Sequence, residues 1–121
     1  MKRRFRLTGT TDFKRVRNAG KSFAHPLVVL VAAPGNAETI KIGVTTARAI
    51  GCAVERNRAK RILRETLRPL LDKLPPGWEL ILIARQPLIQ ATFQDVRSAV
   101  FSLLKRAHLL QASDDTALPA A

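Results

Sequence analysis

The apolar positions between residues 54 and 73 recur at intervals of three and four, which predicts a helix with one face buried on a core. These positions are Ala59, Ile62, Leu63, Leu67, Leu70 and Leu71. Because each residue turns a helix by about 100°, the adjoining face is predicted to carry a continuous polar row. The row consists of Asn57, Lys60, Arg61, Arg64 and Arg68, with Arg56 near the apolar edge and Arg58 on the far side.

This polar row is rich in arginine, which presents a planar fork to phosphate and keeps its charge at any physiological pH. An ordinary solvated helix face is the simpler interpretation of such a row. After the start of the helix, however, only Glu65 and Asp72 are acidic, so salt bridges along the helix do not explain the basic residues. The pattern therefore favours a helix that binds a phosphate backbone.

The rest of the chain alternates short apolar segments with two further helical patterns. Extended segments are predicted over residues 22–23, 27–32 and 39–46, and the continuous apolar run Trp78–Ala84 predicts an interior strand. A short helix is predicted over residues 12–19, and a last helix follows the capping pair of Thr92 and Asp95. The predicted core face of the last helix is Phe93, Val96, Val100, Leu103, Leu104 and Ala107. The order α-β-β-β-α-β-α predicts an α/β (α+β) two-layer sandwich with helices packed on a mostly antiparallel four-stranded sheet.

Composition adds a strong and unevenly placed positive charge. The 121 residues carry a formal net charge of +12. Residues 1–21 and 41–68 each contain eight basic side chains, against one and two acidic ones respectively. A fold that brings these two segments together would form one strongly positive surface, as nucleic-acid-binding proteins do.

The length fits one domain, predicted to span residues 1–111 with a basic arm at its start. Residues 112–121 are small, polar and acidic, and are predicted to form a disordered tail. The longest apolar run, residues 26–33, has only the length of a strand, and residues 1–6 lack the apolar segment of a signal peptide. The lone Cys52 excludes an internal disulfide, fits a reducing compartment and is predicted to be packed. The sequence thus predicts a cytoplasmic protein that does not enter a membrane.

Residues that could perform catalysis are not grouped in this sequence. His25 and His108 lie far apart, neither has a metal-ligand partner at useful spacing, and the nine acidic residues are scattered. No glycine-rich phosphate-binding loop of the Walker type is present. We therefore predict no catalytic and no metal-binding residue in the protein itself, and expect any chemistry to belong to a partner.

Four blocks of the sequence carry a resemblance to a known family. Residues 56–65 read RNRAKRILRE, follow Gly51 and Ala53-Val54, and closely resemble the RNR signature of the bacterial ribonuclease P protein subunit. Arg6-Leu7 with Asp12-Phe13, the segment 41–44 and the segment 80–85 resemble the family's start, third strand and last strand. The resemblance covers residues 5–108. The loop 46–52 departs from the family pattern, because it keeps one basic residue and has Cys52 where Asn is frequent.

The resemblance implies a ribonucleoprotein in which this chain binds ribonuclease P RNA and helps that RNA remove the 5′ leader of precursor tRNA. The RNA and its Mg²⁺ ions would perform the hydrolysis, with no metal or cofactor held by the protein alone and one protein per catalytic RNA. The family's β3-α2-β4 crossover is left-handed, against the general tendency. The residues expected to face the ribozyme RNA are Arg48, Arg56, Asn57, Arg58, Lys60, Arg61, Arg64 and Arg68.

The resemblance also implies a cleft between the first helix and the sheet that takes the single-stranded leader. Single strands are bound by aromatic stacking beside basic groups. The residues expected there are Phe13, Lys14, Arg17, Lys21, Phe23 and Val31, the last at a position where the family can carry an aromatic residue. Phe13 has an equally good alternative role, in which it only packs the first helix onto the sheet.

Two other functions remain compatible with the composition. A ribosomal or architectural nucleic-acid-binding protein would have the same charge but would not stimulate precursor-tRNA cleavage. A protein nuclease would cleave RNA without an added RNA subunit.

Overall fold

The computed structural model describes residues 5–7, 10–35 and 40–110. Over these residues the chain forms three α-helices and one four-stranded sheet in the predicted order, which confirms the α+β fold class. The elements are α1 (Thr10–Ala19), β1 (Lys21–Ala24), β2 (Val28–Pro34), β3 (Lys41–Thr46), α2 (Ala53–Leu67), β4 (Trp78–Ala84) and α3 (Phe93–Arg106). The tail at 112–121 and residues 1–4 of the basic arm lie outside the described residues.

The sheet has the strand order β1-β2-β4-β3. Strand β2 runs antiparallel to both β1 and β4, whereas β3 runs parallel to β4. Helix α2 connects these two parallel strands, so β3-α2-β4 is a crossover unit, and its left-handedness stays a prediction. On the outer side of β3, Arg6 forms a parallel bridge with Ile42, and the backbone N–H of Leu7 donates to the Ile42 carbonyl at 2.9 Å. Part of the predicted arm is therefore docked on the edge of the sheet.

Both faces of the central strands are covered, which adds a layer to the predicted two-layer arrangement. On one face, Leu30 and Leu82 pack with residues of α2 and α3. On the other face, Val31 and Ile81 pack with Val16 of α1. Successive side chains of a strand point to opposite faces, so β2 and β4 need apolar residues at every position. The continuous apolar run in β4 reflects this double burial.

Helix α2 is shorter than the predicted helix at 54–73, because Arg68–Lys73 continues it as a 3-10 helix. Pro69 causes the change, since it lacks the N–H that an α-helical bond to residue 65 would need and restricts the residue before it. The apolar face is as predicted, with Ala59, Leu63 and Leu67 fully buried.

Helix α3 begins as predicted, since the Thr92 hydroxyl accepts a hydrogen bond from the backbone N–H of Asp95 at 3.1 Å. The prediction that Phe93 belongs to its core face is wrong, because this side chain is 45% exposed. Phe93 occupies the first helical position, and the Arg97 guanidinium lies 5.9 Å from its ring centroid. Ala99 and Phe101 are buried instead.

Candidate nucleic-acid interface

The basic residues of α2 form a row on the side of the helix away from the core. Arg56, Asn57, Arg58 and Arg61 are exposed, and Lys60 and Arg64 are half-buried. Arg68 is exposed immediately after the helix, and Arg48 is exposed in the loop that leads into it. We call these eight residues, all predicted from the sequence, the α2 surface. The buried apolar stripe fixes the helix, so its basic side chains project from a rigid support.

Few charges of the α2 surface are neutralised within the protein. Arg68 pairs with Glu65 at 2.9 Å, and Arg56 donates from Nη2 to the backbone carbonyl of Gly51 at 2.7 Å. In the part of the chain that the structure describes, Arg58 and Arg61 make no ion pair, and neither does Lys60. The Nε atom of Arg64 is buried without a hydrogen-bond partner. The surface therefore keeps donors and charge available for an anionic ligand.

The loop before α2 leaves an open strip beside these arginines. Cys52 is exposed, so the prediction that it is packed is wrong. It is the N-cap residue of α2, where its side chain makes no capping hydrogen bond and lies outside the core. Val54 is 75% exposed, and a Cβ added at Gly51 would meet nothing within 4 Å. A larger side chain at position 51 would therefore not clash with any described atom of the protein.

A second surface lies on the opposite face of the sheet, where α1 presents Lys14 and Arg17 to solvent. Phe13 is half-buried on the same helix, and its ring packs directly over Gly43 of β3. A Cβ atom at residue 43 would lie 2.8 Å from Cε1 of this ring, which is too close for a real contact. We call Phe13, Lys14 and Arg17 the α1 surface.

The other three residues predicted to bind the leader do not join the α1 surface. Val31 is only 4% exposed, because it is covered by α1. Phe23 pairs with Leu30 in the β1-β2 register and packs on the α2/α3 side of the sheet, with the Arg106 guanidinium 5.9 Å from its ring centroid. Lys21 is two residues away in the same strand and so shares that face. A single cleft containing both phenylalanines is therefore not formed.

An ion pair that the sequence patterns did not predict connects α1 to β4. The guanidinium of Arg15 donates from Nη1 to Glu79 Oε1 and from Nη2 to Glu79 Oε2, the second at 2.7 Å. It also contacts Asp12 Oδ1 at 3.2 Å. The Glu79 side chain is 7% exposed. The hydrogen bonds that Arg15 donates to Glu79, and to a smaller extent the one it donates to Asp12, raise the pKa of the guanidinium above its ordinary value. A lone carboxylate in the apolar run 78–84 was the available signal, since a buried charge requires a partner.

The described residues contain neither a metal-binding cluster nor a membrane-spanning helix. They contain no cluster of three or more His, Cys, Asp or Glu side chains that could hold a metal ion. None of their helices is long and apolar enough to cross a bilayer. The two histidines are engaged in local structure: Nδ1 of His25 accepts from the backbone N–H of Leu27 at 3.1 Å, and His108 ends α3 with φ at 60°.

Comparisons with known proteins agree with this geometry. The family model for ribonuclease P matches residues 1–108. The ribonuclease P protein component of Herpetosiphon aurantiacus is 41% identical over 109 residues, which cover 90% of this chain and 89% of that protein. The structure of the Staphylococcus aureus RNase P protein superposes with a TM-score of 0.78 at 27% identity, covering 88% of this chain and 98% of that one. For the Thermotoga maritima RNase P protein the TM-score is 0.74 at 30% identity, with 84% and 96% covered. This chain therefore belongs to the bacterial ribonuclease P protein family.

Proposed function

We propose that this protein is the protein subunit of the ribonuclease P ribonucleoprotein and assists the 5′ maturation of tRNA. Family membership over almost the whole chain supports this role. The observation that carries the RNA-binding part is the α2 surface, where an apolar stripe with Ala59, Leu63 and Leu67 fully buried supports a row of largely unpaired basic side chains.

In this proposal the α2 surface binds the catalytic RNA. Each Lys or Arg that reaches a phosphate releases condensed counterions, so the affinity depends on how many contacts form at once. A rigid helix can place several guanidinium groups along one phosphate backbone without ordering a flexible chain first. Arg58, Lys60 and Arg61 illustrate the fit, because none of them makes an ion pair within the described residues.

The α1 surface binds the leader of precursor tRNA in the same proposal. Phe13 would stack on a base, while Lys14 and Arg17 lie beside it and would contact neighbouring phosphates. Lys21, Phe23 and Val31 are left out of this site, because two of them lie on the other face of the sheet and Val31 is buried.

The hydrolysis itself is assigned to the RNA subunit, with Mg²⁺ ions held by that RNA and the substrate. The protein contributes phosphate binding and leader binding, as one copy per catalytic RNA in the cytoplasm. If the RNA performs the hydrolysis, the protein needs to supply only positive charge and a rigid shape.

Reconstitution tests the proposal. Purified protein should restore precursor-tRNA cleavage to a bacterial ribonuclease P RNA at a Mg²⁺ concentration too low for the RNA alone. The protein without RNA should cleave nothing. Failure to stimulate the RNA, despite tight binding, would favour an architectural RNA-binding protein. Cleavage by the protein alone would identify a protein nuclease.

A further inference from the structure

Glu79 is the one buried carboxylate among the described residues, and it forms its ion pair with Arg15 on a helix that faces solvent. Glu79 lies near the start of β4, paired with Lys41 of β3 and Ala33 of β2 in the sheet register. Its carboxylate accepts two hydrogen bonds from a single guanidinium, a geometry that fixes direction as well as distance. The bond therefore constrains how α1 is rotated on the sheet.

The end of α1 near β1 packs closely against the sheet through Val16 and Gly20. Val16 is fully buried, and the backbone N–H of Gly20 donates to the Val16 carbonyl at 2.8 Å. Gly20 also sits tightly against β2, because an added Cβ would lie 2.8 Å from the Ala32 carbonyl oxygen. Earlier in the helix, the Phe13 ring lies over Gly43, and Arg15 forms its ion pair with Glu79.

These two contacts lie on opposite sides of Val16. At about 100° per residue, Phe13 precedes Val16 by about 60° around the helix, and Arg15 lies about 100° beyond it on the other side. Rotation of α1 in one direction would lift Phe13 from Gly43, and rotation in the other direction would pull Arg15 away from Glu79. Because the two parallel hydrogen bonds fix the direction as well as the distance of the guanidinium, the ion pair opposes rotation in either direction.

We infer that Arg15 and Glu79 are positioning residues for leader binding: their ion pair holds α1 at the rotation that presents Phe13, Lys14 and Arg17 to the RNA. The inference rests on the proposed leader-binding role of the α1 surface. In this arrangement Arg15 acts through the ion pair, because both terminal nitrogens of its guanidinium donate to carboxylates.

The decisive variant is the double replacement Arg15→Met and Glu79→Met. It preserves net charge, and it leaves no buried carboxylate without a partner, so the melting temperature should stay within a few degrees of the wild type. The nuclear Overhauser contact between the Phe13 ring and the Gly43 α protons should weaken. In the reconstituted holoenzyme, the preference for leader-bearing over leaderless tRNA should fall by about fivefold to tenfold, the lower part of the range for one lost base stack. Affinity for leaderless tRNA should not change.

Two further variants keep the test decisive. Arg15→Lys retains the charge beside Glu79 but loses the fork, so it should fold normally and lose part of the leader preference. Lys73→Met removes one exposed positive charge far from α1 and should leave that preference intact, which controls for general electrostatics.

The outcomes distinguish a failure of this inference from a failure of the proposed leader-binding function on which it rests. If the wild-type holoenzyme shows no leader preference, the leader-binding role of the α1 surface fails. If the wild type shows the preference and the double variant or Arg15→Lys keeps it in full, the ion pair has no positioning role. A loss of leader preference at unchanged stability supports the inference, because a purely structural contact would lower stability and both affinities together.

Discussion

Replacing Gly43 with Ala would place one methyl group under the Phe13 ring and test what this ring does. The added Cβ would lie 2.8 Å from Cε1 and 3.2 Å from Cε2, whereas carbon atoms in ordinary contact are about 3.5–4.0 Å apart. The ring must therefore move by roughly 1 Å or turn away. Its atoms are the far end of a half-buried side chain, so we expect the ring to move outward and the backbone of β3 to stay in place.

The expected effect on stability is small. Overpacking costs about 1–3 kcal/mol, while replacing Gly with Ala in extended backbone returns about 0.4–1 kcal/mol by restricting the unfolded chain. The free energy of unfolding should thus fall by about 0–2.6 kcal/mol, measured by urea denaturation. Gly51→Ala is the matched control for folding, because its Cβ would meet nothing within 4 Å.

The expected effect on leader binding is larger. If Phe13 stacks on a leader base, its displacement should remove up to about 1–3 kcal/mol of affinity for leader-bearing precursor tRNA. Leaderless tRNA should bind the holoenzyme as before. Unchanged leader affinity in a Gly43→Ala protein whose ring has moved would refute stacking by Phe13. Equal losses for both substrates would mean that Phe13 is only a packing residue.

Three further predictions address the α2 surface and the end of α3. Replacing Arg56, Lys60 and Arg64 together with Ala should weaken ribozyme-RNA binding by several kcal/mol, since charge-assisted bonds contribute roughly 1.5–3 kcal/mol each; unchanged affinity with an intact circular dichroism spectrum would contradict the assignment. The logarithm of the binding constant should fall with the logarithm of salt concentration at a slope of several units, and a slope near zero would mean that the basic residues do not reach phosphates. His108→Gly should raise the free energy of unfolding by about 1 kcal/mol, because His108 has φ at 60° in a helix end where Leu109 N–H bonds the Leu104 carbonyl at 2.9 Å. Destabilisation by this change would show that the imidazole has a favourable contact.

Local sequence patterns predicted the ends of an element well where helix- or strand-breaking residues flank it. Strand β4 begins and ends where predicted, because Pro-Pro-Gly precedes its apolar run and Arg-Gln-Pro follows it. The α2 surface was also predictable, since a single helix carries almost all of it and helical periodicity fixes which residues share a face. Both successes depend on residues close together in sequence.

The features that local patterns do not predict depend on which distant elements meet. Alternation along β1 indicates that Lys21 and Phe23 lie on the same face of the sheet. It does not indicate whether that face is covered by α1 or by α2 and α3. The partner of Glu79 is separated from it by 64 residues. No local pattern pairs these residues, so only the folded sheet could reveal that Phe13 and Phe23 lie on opposite sides.

The placement of acidic residues explains how one small domain can present two basic surfaces. Within the described residues, Lys14 and Arg17 on α1 make no ion pair, and neither do Arg58, Lys60 and Arg61 on α2. The doubly covered sheet separates these helices, since Val31 and Ile81 pack under α1 while Leu30 and Leu82 pack under α2 and α3. Because apolar layers lie between them, each set of charges can bind its own RNA strand. The same two-sided burial that makes β2 and β4 continuously apolar therefore also keeps the proposed leader-binding and ribozyme-binding surfaces apart.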